Sequence, residues 1–163
     1  MIFSKPTEYA IRGLSELATR PPNHLTMLDD VLAGTELPRD FLAKLFQRLV
    51  RAGILRSAKG RGGGFTLARP AHQITLMHVV EALEGPQPLD GCVVGLSQCN
   101  DQMPCSQHDA YKPIRQRLKD YLNTTTMADL ASSLKSKVTW QQMRKAQAEA
   151  FLEASGNATS AKK

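Results

Sequence analysis

Apolar residues recur at helical spacing over residues 7–19, where Tyr9, Ala10, Gly13, Leu14, Leu17 and Ala18 share a face and Pro21-Pro22 ends the run. A short second helix is expected over Met27–Ala33, capped by Thr26, with Asp29 and Asp30 in its first turn and Gly34 turning the chain after it. Pro38 suits the first turn of a third helix whose apolar face is Phe41, Leu42, Leu45, Phe46 and Leu49, and Gly53 stops it. The period then changes. Ile54–Ser57 and Phe65–Leu67 read as short strands around the glycine-rich segment Lys59–Gly64, which predicts a hairpin with a flexible tip able to approach a ligand closely. Two helices joined by a short turn and followed at once by a hairpin make a winged helix-turn-helix.

Ile74–Leu83 reads as a further helix, closed by Gly85-Pro86. Residues 86–108 show no period and carry Pro86, Pro88, Gly91, Gly95 and Pro104; irregular stretches of this length usually serve a function. A long helix from about Asp109 places Tyr111, Ile114, Leu118, Tyr121 and Leu122 on one stripe and tolerates Pro113 near its start. A turn at Thr126–Leu134, a weak helix at Trp140–Glu153 and a disordered tail at 155–163 complete the expectation. The fold class is mostly α with a small β-hairpin wing. Its expected organisation is a winged helix-turn-helix domain at 1–85, a cysteine-containing loop at 86–108 and helices at 109–154 that include a dimerisation helix.

Charge sharpens this picture because of where it lies. Residues 38–69 hold eight basic side chains against one acid, Asp40, so the chain's net charge of +6 is concentrated in the third helix and hairpin. A focused patch of that kind is the footprint of polyanion binding. A recognition helix presents its N-terminal part to base edges, so Arg39, Asp40, Ala43 and Lys44 are the candidate readers. Lys44, Arg48 and Arg51 suit phosphate contacts, while Lys59, Arg61 and Gly62 at the wing tip suit an adjacent minor groove. A phosphate-cradling loop of the nucleotide-hydrolysing kind is a poor match: Gly60–Gly64 lacks a following Lys-Ser/Thr and leads into a strand. No catalytic constellation is legible, so the chain is not expected to be an enzyme. It has neither a membrane-length apolar run nor a signal-like start, so a cytoplasmic location and no membrane partner are expected.

The three cysteines all fall within one loop, where Cys92, Cys99, Cys105 and His108 form the pattern C-x6-C-x5-C-x2-H. A tight, odd-numbered cluster points to metal or redox chemistry rather than a disulfide framework. Thiolates and imidazole are iron–sulfur ligands, and long spacings let a loop wrap a bulky cluster. Four N/S ligands also satisfy zinc, although structural zinc sites commonly use closer pairs. Direct thiol oxidation is the third chemistry open to this set.

Phe41-Leu42-Ala43-Lys44-Leu45-Phe46, Arg51-Ala52-Gly53-Ile54-Leu55, Lys59–Phe65, Ile74–Gly85 and Thr124–Leu130 resemble the winged-helix regulators that include IscR, NsrR and RirA, over residues 1 to about 134. The resemblance implies a homodimer on a palindromic DNA operator, a long C-terminal helix crossing to the partner, and an iron–sulfur cluster that modulates binding. It also implies a 2Fe–2S cluster held by Cys92, Cys99, Cys105 and His108, or a 4Fe–4S cluster with Glu8 of the other subunit as fourth ligand. Two departures bear on specificity. Ala43 stands where such regulators commonly carry an acid, and Lys59–Phe65 replaces a wing commonly reading Arg-Gly-Pro-Gly-Gly-Gly-Tyr, so base preference does not carry over.

Overall fold

The structure, a computed structural model, describes residues 3–33, 37–86 and 88–136. Its elements run α1 (Lys5–Ala18), α2 (Leu28–Leu32), α3 (Arg39–Arg51), β1 (Leu55–Ala58), β2 (Gly64–Leu67), a 3-10 turn at Ala71–Gln73, α4 (Leu76–Glu84) and α5 (His108–Thr124). A further helical stretch covers 127–136. The expected turn at Gly34, the helix at Trp140–Glu153 and the tail lie outside the described residues.

Helix α1 starts where Ser4 accepts from the Thr7 N–H, and it buries Ala10, Leu14 and Leu17. Against it pack Leu42, Leu45, Phe46 and Leu49 of α3 and Val79 and Leu83 of α4, in one core with Ile54, Leu55 and Ile74. Phe46 is fully buried and meets Phe65 of the hairpin edge-on, with ring centroids 5.1 Å apart. This contact fixes the wing against the recognition helix, because aromatic pairs add geometric preference to their area burial. Phe41 instead remains 37% exposed and stacks edge-on against Tyr9, so it contributes less to the apolar face than its spacing suggests.

The hairpin is antiparallel, with Leu55 opposite Leu67 and Ala58 opposite Gly64. It gains a third participant that periodicity did not indicate. Thr26 and Phe65 exchange both backbone hydrogen bonds at 2.9 Å, so Thr26 belongs to the wing sheet and not to the start of α2. The α2 cap is Met27, which contributes no side-chain bond, and the Thr26 hydroxyl is buried without a partner. Pro38 likewise sits at the N-cap of α3, one place earlier than expected, and its carbonyl accepts from Leu42 N–H at 2.9 Å. Gly64 is demanded by this sheet. It has φ +152°, and a Cβ there would lie 2.4 Å from the Thr26 carbonyl oxygen. The glycine-rich tip therefore serves the chain's own close approach before it serves any ligand.

Helix α4 begins at Leu76 rather than Ile74, because Thr75 and His78 form a reciprocal capping box. Ile74 stays extended, and its carbonyl accepts from Met127 N–H at 2.8 Å, while Leu76 N–H donates to the Thr125 carbonyl at 2.9 Å. The segment expected to be a turn at Thr126–Leu134 is helical over 127–136. Thr126 caps that helix, its hydroxyl accepting from the Asp129 N–H at 3.2 Å, and Asp129 reaches back to accept from the Thr126 N–H at 2.8 Å. Leu122 and Met127 join the main core, so the chain after α5 folds back onto α4. Leu118 packs against the edge of that core, whereas Ile114 is 59% and Tyr121 50% exposed.

Candidate functional site

Part of the basic segment lies exposed along α3 and at the hairpin tip, whereas Arg56 and Arg69 line a separate concavity. Asp40, Lys44, Gln47 and Arg51 are exposed along α3, with Ala43 half-buried among them. A groove between α2, α3 and the wing is lined by Asp29, Arg39, Gln47, Lys59 and Gly60. Lys59, Arg61 and Gly62 stand exposed at the hairpin tip. Gln47 belongs to this face although charge counting passed over it; its signal was positional, four residues after Ala43 and three after Lys44. Glutamine matters on such a face because its amide can pair bidentately with adenine.

Two of the expected DNA contacts have intramolecular partners. Arg39 donates from Nε to Asp29 Oδ1 at 2.6 Å and from Nη2 to Oδ2 at 3.4 Å, joining α3 to α2. That hydrogen bond lowers the Asp29 carboxyl and raises the Arg39 guanidinium from their ordinary values. Both side chains are about 60% exposed, so the pair is a weak clamp that base or phosphate can displace. Arg48 donates from Nη2 to the Leu83 carbonyl at 2.7 Å. It therefore ties α3 to the last turn of α4, and its other N–H groups remain available to a phosphate.

The cysteine loop hangs between α4 and α5 and resolves into two pairs. Cys92 Sγ lies 3.9 Å from Cys105 Sγ, and Cys99 Sγ lies 3.5 Å from His108 Nδ1. Among the described residues, no three His, Cys, Asp or Glu side chains converge as a single metal-binding group. Each pair nonetheless has polar neighbours within the loop and α5. Hydrogen bonding from the Val94 and Leu96 backbone holds the Cys92 thiol below its ordinary range, helped by Cys105 and by the Gly95 N–H. Arg115 donates from Nη1 to Cys99 Sγ at 3.3 Å, and this bond raises the guanidinium further.

His108 is buried at the start of α5. Its Nε2 meets Asp101 Oδ1 at 2.7 Å, and Lys112 Nζ anchors the same carboxylate at 2.7 and 2.8 Å. Lys112 first, and His108 after it, hold the Asp101 carboxyl below its ordinary value. A carboxylate on one imidazole nitrogen fixes the tautomer that leaves the other nitrogen's lone pair free. Here the free nitrogen is Nδ1, and it faces a thiol. The donor set thus fits a thiolate–imidazole centre in chemistry, although its two halves stand as pairs. Glu8, the alternative ligand, lies in the first turn of α1 and pairs with Lys5 at 2.9 Å. Asp101 and Arg115, which contact His108 and Cys99, were not singled out from the sequence; neither spacing nor charge distinguishes them from surface residues.

Comparison with known proteins agrees with this architecture. The family model Rrf2, described as an iron-dependent transcriptional regulator, matches residues 3–133. A candidate HTH-type transcriptional regulator of Aquifex aeolicus is 30% identical over 132 residues, covering 80% of this chain and 91% of that one. The HTH-type transcriptional regulator IscR of Vibrio campbellii is 27% identical over 130 residues, covering 80% and 77%. Among solved structures, CymR, the global cysteine regulator of B. subtilis, superposes with a TM-score of 0.69 at 26% identity, covering 80% of this chain and 96% of that one. An oxidized form of Staphylococcus aureus CymR gives 0.63 at 25%, with 80% and 96% covered. No described helix is long and apolar enough to cross a membrane. The match runs through the helix-turn-helix, the wing and the cysteine loop alike, and the chain accordingly belongs to the Rrf2 family: it is a winged-helix, DNA-binding transcriptional regulator and not an enzyme.

Proposed function

We propose that this regulator is a cytoplasmic homodimer that binds a palindromic operator, with affinity set by an iron–sulfur cluster held at Cys92, Cys99, Cys105 and His108. The observation that carries the proposal is the Asp101–His108–Cys99 chain, in which the carboxylate takes Nε2 and turns the Nδ1 lone pair toward a thiol. Nothing in an inert loop requires a buried imidazole presented in that way. Three thiolates and one neutral nitrogen favour a 2Fe–2S cluster, whose potential the imidazole would raise; a 4Fe–4S cluster would draw on a different fourth ligand such as Glu8. When bound, the cluster supplies a reversible one-electron or assembly–disassembly signal.

The chain's own residues relate that signal to DNA. The loop joins α4 to α5, and Arg48 links the end of α4 to the recognition helix. A change in loop geometry that moves Leu83 therefore bears on how α3 is presented. Only a difference in operator affinity between the two loop states would make this regulation. The exposed Ile114 and Tyr121 on α5 support pairing with a second copy, which would place two recognition helices on a two-fold site.

A thiol-based reading draws on a different observation, the 3.9 Å separation of Cys92 and Cys105. Oxidation of these two thiols to a disulfide by a peroxide would release two protons and two electrons to the oxidant without any metal. Anaerobic purification separates the readings. Coloured protein containing iron and sulfide, with operator affinity that differs between holo and apo forms, is the expected result. Stoichiometric zinc, or colourless metal-free protein whose DNA binding responds only to peroxide, would overturn the cluster.

A further inference from the structure

Away from both the DNA face and the cysteine loop, a cavity of about 360 Å³ lies beside the base of the hairpin. In the hairpin Leu55 and Phe65 face the core, so the cross-strand pair Arg56–Thr66 faces the other way and lines this cavity. The opposite wall is the turn after α1, where His24 N–H donates to the Pro21 carbonyl at 3.2 Å and Asn23 adopts φ +61°. Arg20, just past the end of α1, and Arg69 after β2 also line the cavity, so three arginines border it with His24 beside them. No Asp or Glu among the described residues lines the cavity. Among the described residues, no ion pair involves Arg20, Arg56 or Arg69.

Three arginines bordering one concavity with no ion-pair partner among the described residues leave positive charge uncompensated there, and the planar fork of a guanidinium matches a carboxylate or phosphate. Arg56 is already oriented, since its Nη2 donates to the Ala68 carbonyl at 3.0 Å and its remaining donors are left over. Apart from Asn23 and Thr66, the rest of the lining, including Leu17, Pro21 and Pro70, is apolar. A recess of this size lies within the roughly 300–1,000 Å³ typical of small-molecule sites, larger than a bare phosphate requires. The groove at the recognition helix shares no lining residue with it.

We propose that this cavity is a binding site for a small organic oxyanion, a carboxylate or phosphate carried on a compact apolar body. Its occupant would bridge the end of α1 and the wing strands, and so would influence how the wing is held. The site makes no use of the cysteine loop, and its test is independent of any cluster.

The experiment is a titration of the full chain, followed by backbone amide NMR, with phenyl phosphate, inorganic phosphate and a random-sequence DNA duplex in separate arms. Phenyl phosphate should give saturable shifts at Ala18, Arg20, Thr66 and Ala71, and inorganic phosphate weaker shifts at the same amides. The double variant R20Q/R69Q, altered at two exposed side chains, should keep its thermal midpoint and bind phenyl phosphate at least about tenfold more weakly, the usual scale for charged hydrogen bonds. Absence of saturation, or equal binding by the double variant, overturns the site. So does an outcome in which only the duplex moves these amides and the double variant lowers the salt slope of DNA binding by about two; the arginines would then be backbone-phosphate contacts.

Discussion

Arg48 of the recognition helix donates a 2.7 Å hydrogen bond from Nη2 to the carbonyl of Leu83, in the last turn of α4. One side chain thereby holds the DNA-facing helix to the element from which the cysteine loop departs, and also satisfies a carbonyl that the helix end leaves without a partner. Arg48→Ala should reduce stability by about 1 kcal/mol, the usual worth of such a bond, measured as a lowered urea midpoint at unchanged m-value. Arg48→Lys should weaken operator binding less than Arg48→Ala, because a charge remains near the phosphates. Equal stability of Arg48→Ala and the parent would remove the tie from the account.

The wing depends on a position where no side chain fits. Gly64→Ala would push a Cβ to 2.4 Å from the Thr26 carbonyl at φ +152°, and something must shift. A loss of about 2 kcal/mol or more is expected in chemical denaturation. Gly91→Ala, at a glycine whose Cβ would meet nothing within 4 Å, is the matched control and should stay within about 0.5 kcal/mol.

At the other end of α1, Ser4 N–H donates to Glu84 Oε1 at 2.9 Å. Partial burial raises the Glu84 carboxyl, but the Ser4 N–H and the Thr7 and Ser4 hydroxyls outweigh it and leave the group below its ordinary value. A lowered folded-state value means that the ionised form stabilises the fold. That contribution is complete above the unfolded carboxylate range and disappears as pH falls through the lowered folded value. Glu84→Gln should therefore flatten the acid limb of a melting-temperature profile and leave its alkaline side unchanged. An unaltered acid limb would show that the bond contributes nothing.

At the hairpin tip, Arg61 is exposed and forms no ion pair among the described residues. Arg61→Ala should weaken operator binding. If Arg61 contacts a phosphate, the slope of log affinity against log salt should fall by about 1, equally for operator and random DNA. A contact to base edges would instead reduce the operator-to-random ratio. Affinity unchanged at both ligands would take the wing tip out of the interface.

In the cysteine loop, Asp101 holds His108 Nε2 at 2.7 Å and itself leans on Lys112. Asp101→Asn keeps the shape and weakens control of the tautomer. If His108 is a ligand, iron retention during dialysis against a chelator should fall by about 10- to 100-fold, with an altered visible spectrum of the anaerobic protein. Retention and spectrum equal to the parent's would mean that Asp101 does not position a ligand.

The helices and hairpin were readable because their signals are local. Leu42, Leu45, Phe46 and Leu49 repeat at helical spacing and are all buried, and the strand runs on either side of the glycines pair as expected. Boundaries shifted where a residue had a better offer from elsewhere. Thr26 left its expected capping role for two backbone bonds to Phe65, and Ile74 left α4 to pair with Met127. The segment after α5 was misread as a turn because its helix is announced only by the Thr126–Asp129 cap, a four-residue signal.

The sequence by itself determined a winged helix-turn-helix, a positive charge confined to residues 38–69, and a loop of three thiols and a histidine, since composition and periodicity are properties of neighbours along the chain. Tertiary structure decided which of those groups are already engaged. Arg39 is claimed by Asp29 ten residues away, Arg48 by Leu83 thirty-five residues away, and His108 by Asp101 from across the loop. It also gathered Arg20, Arg56 and Arg69 around one cavity, although they lie far apart in the chain. Hydrogen bonds and charge encounters of this kind depend on distances of a few ångström between segments. Only the packing of α1, α3, α4 and the wing around Phe46 fixes those distances.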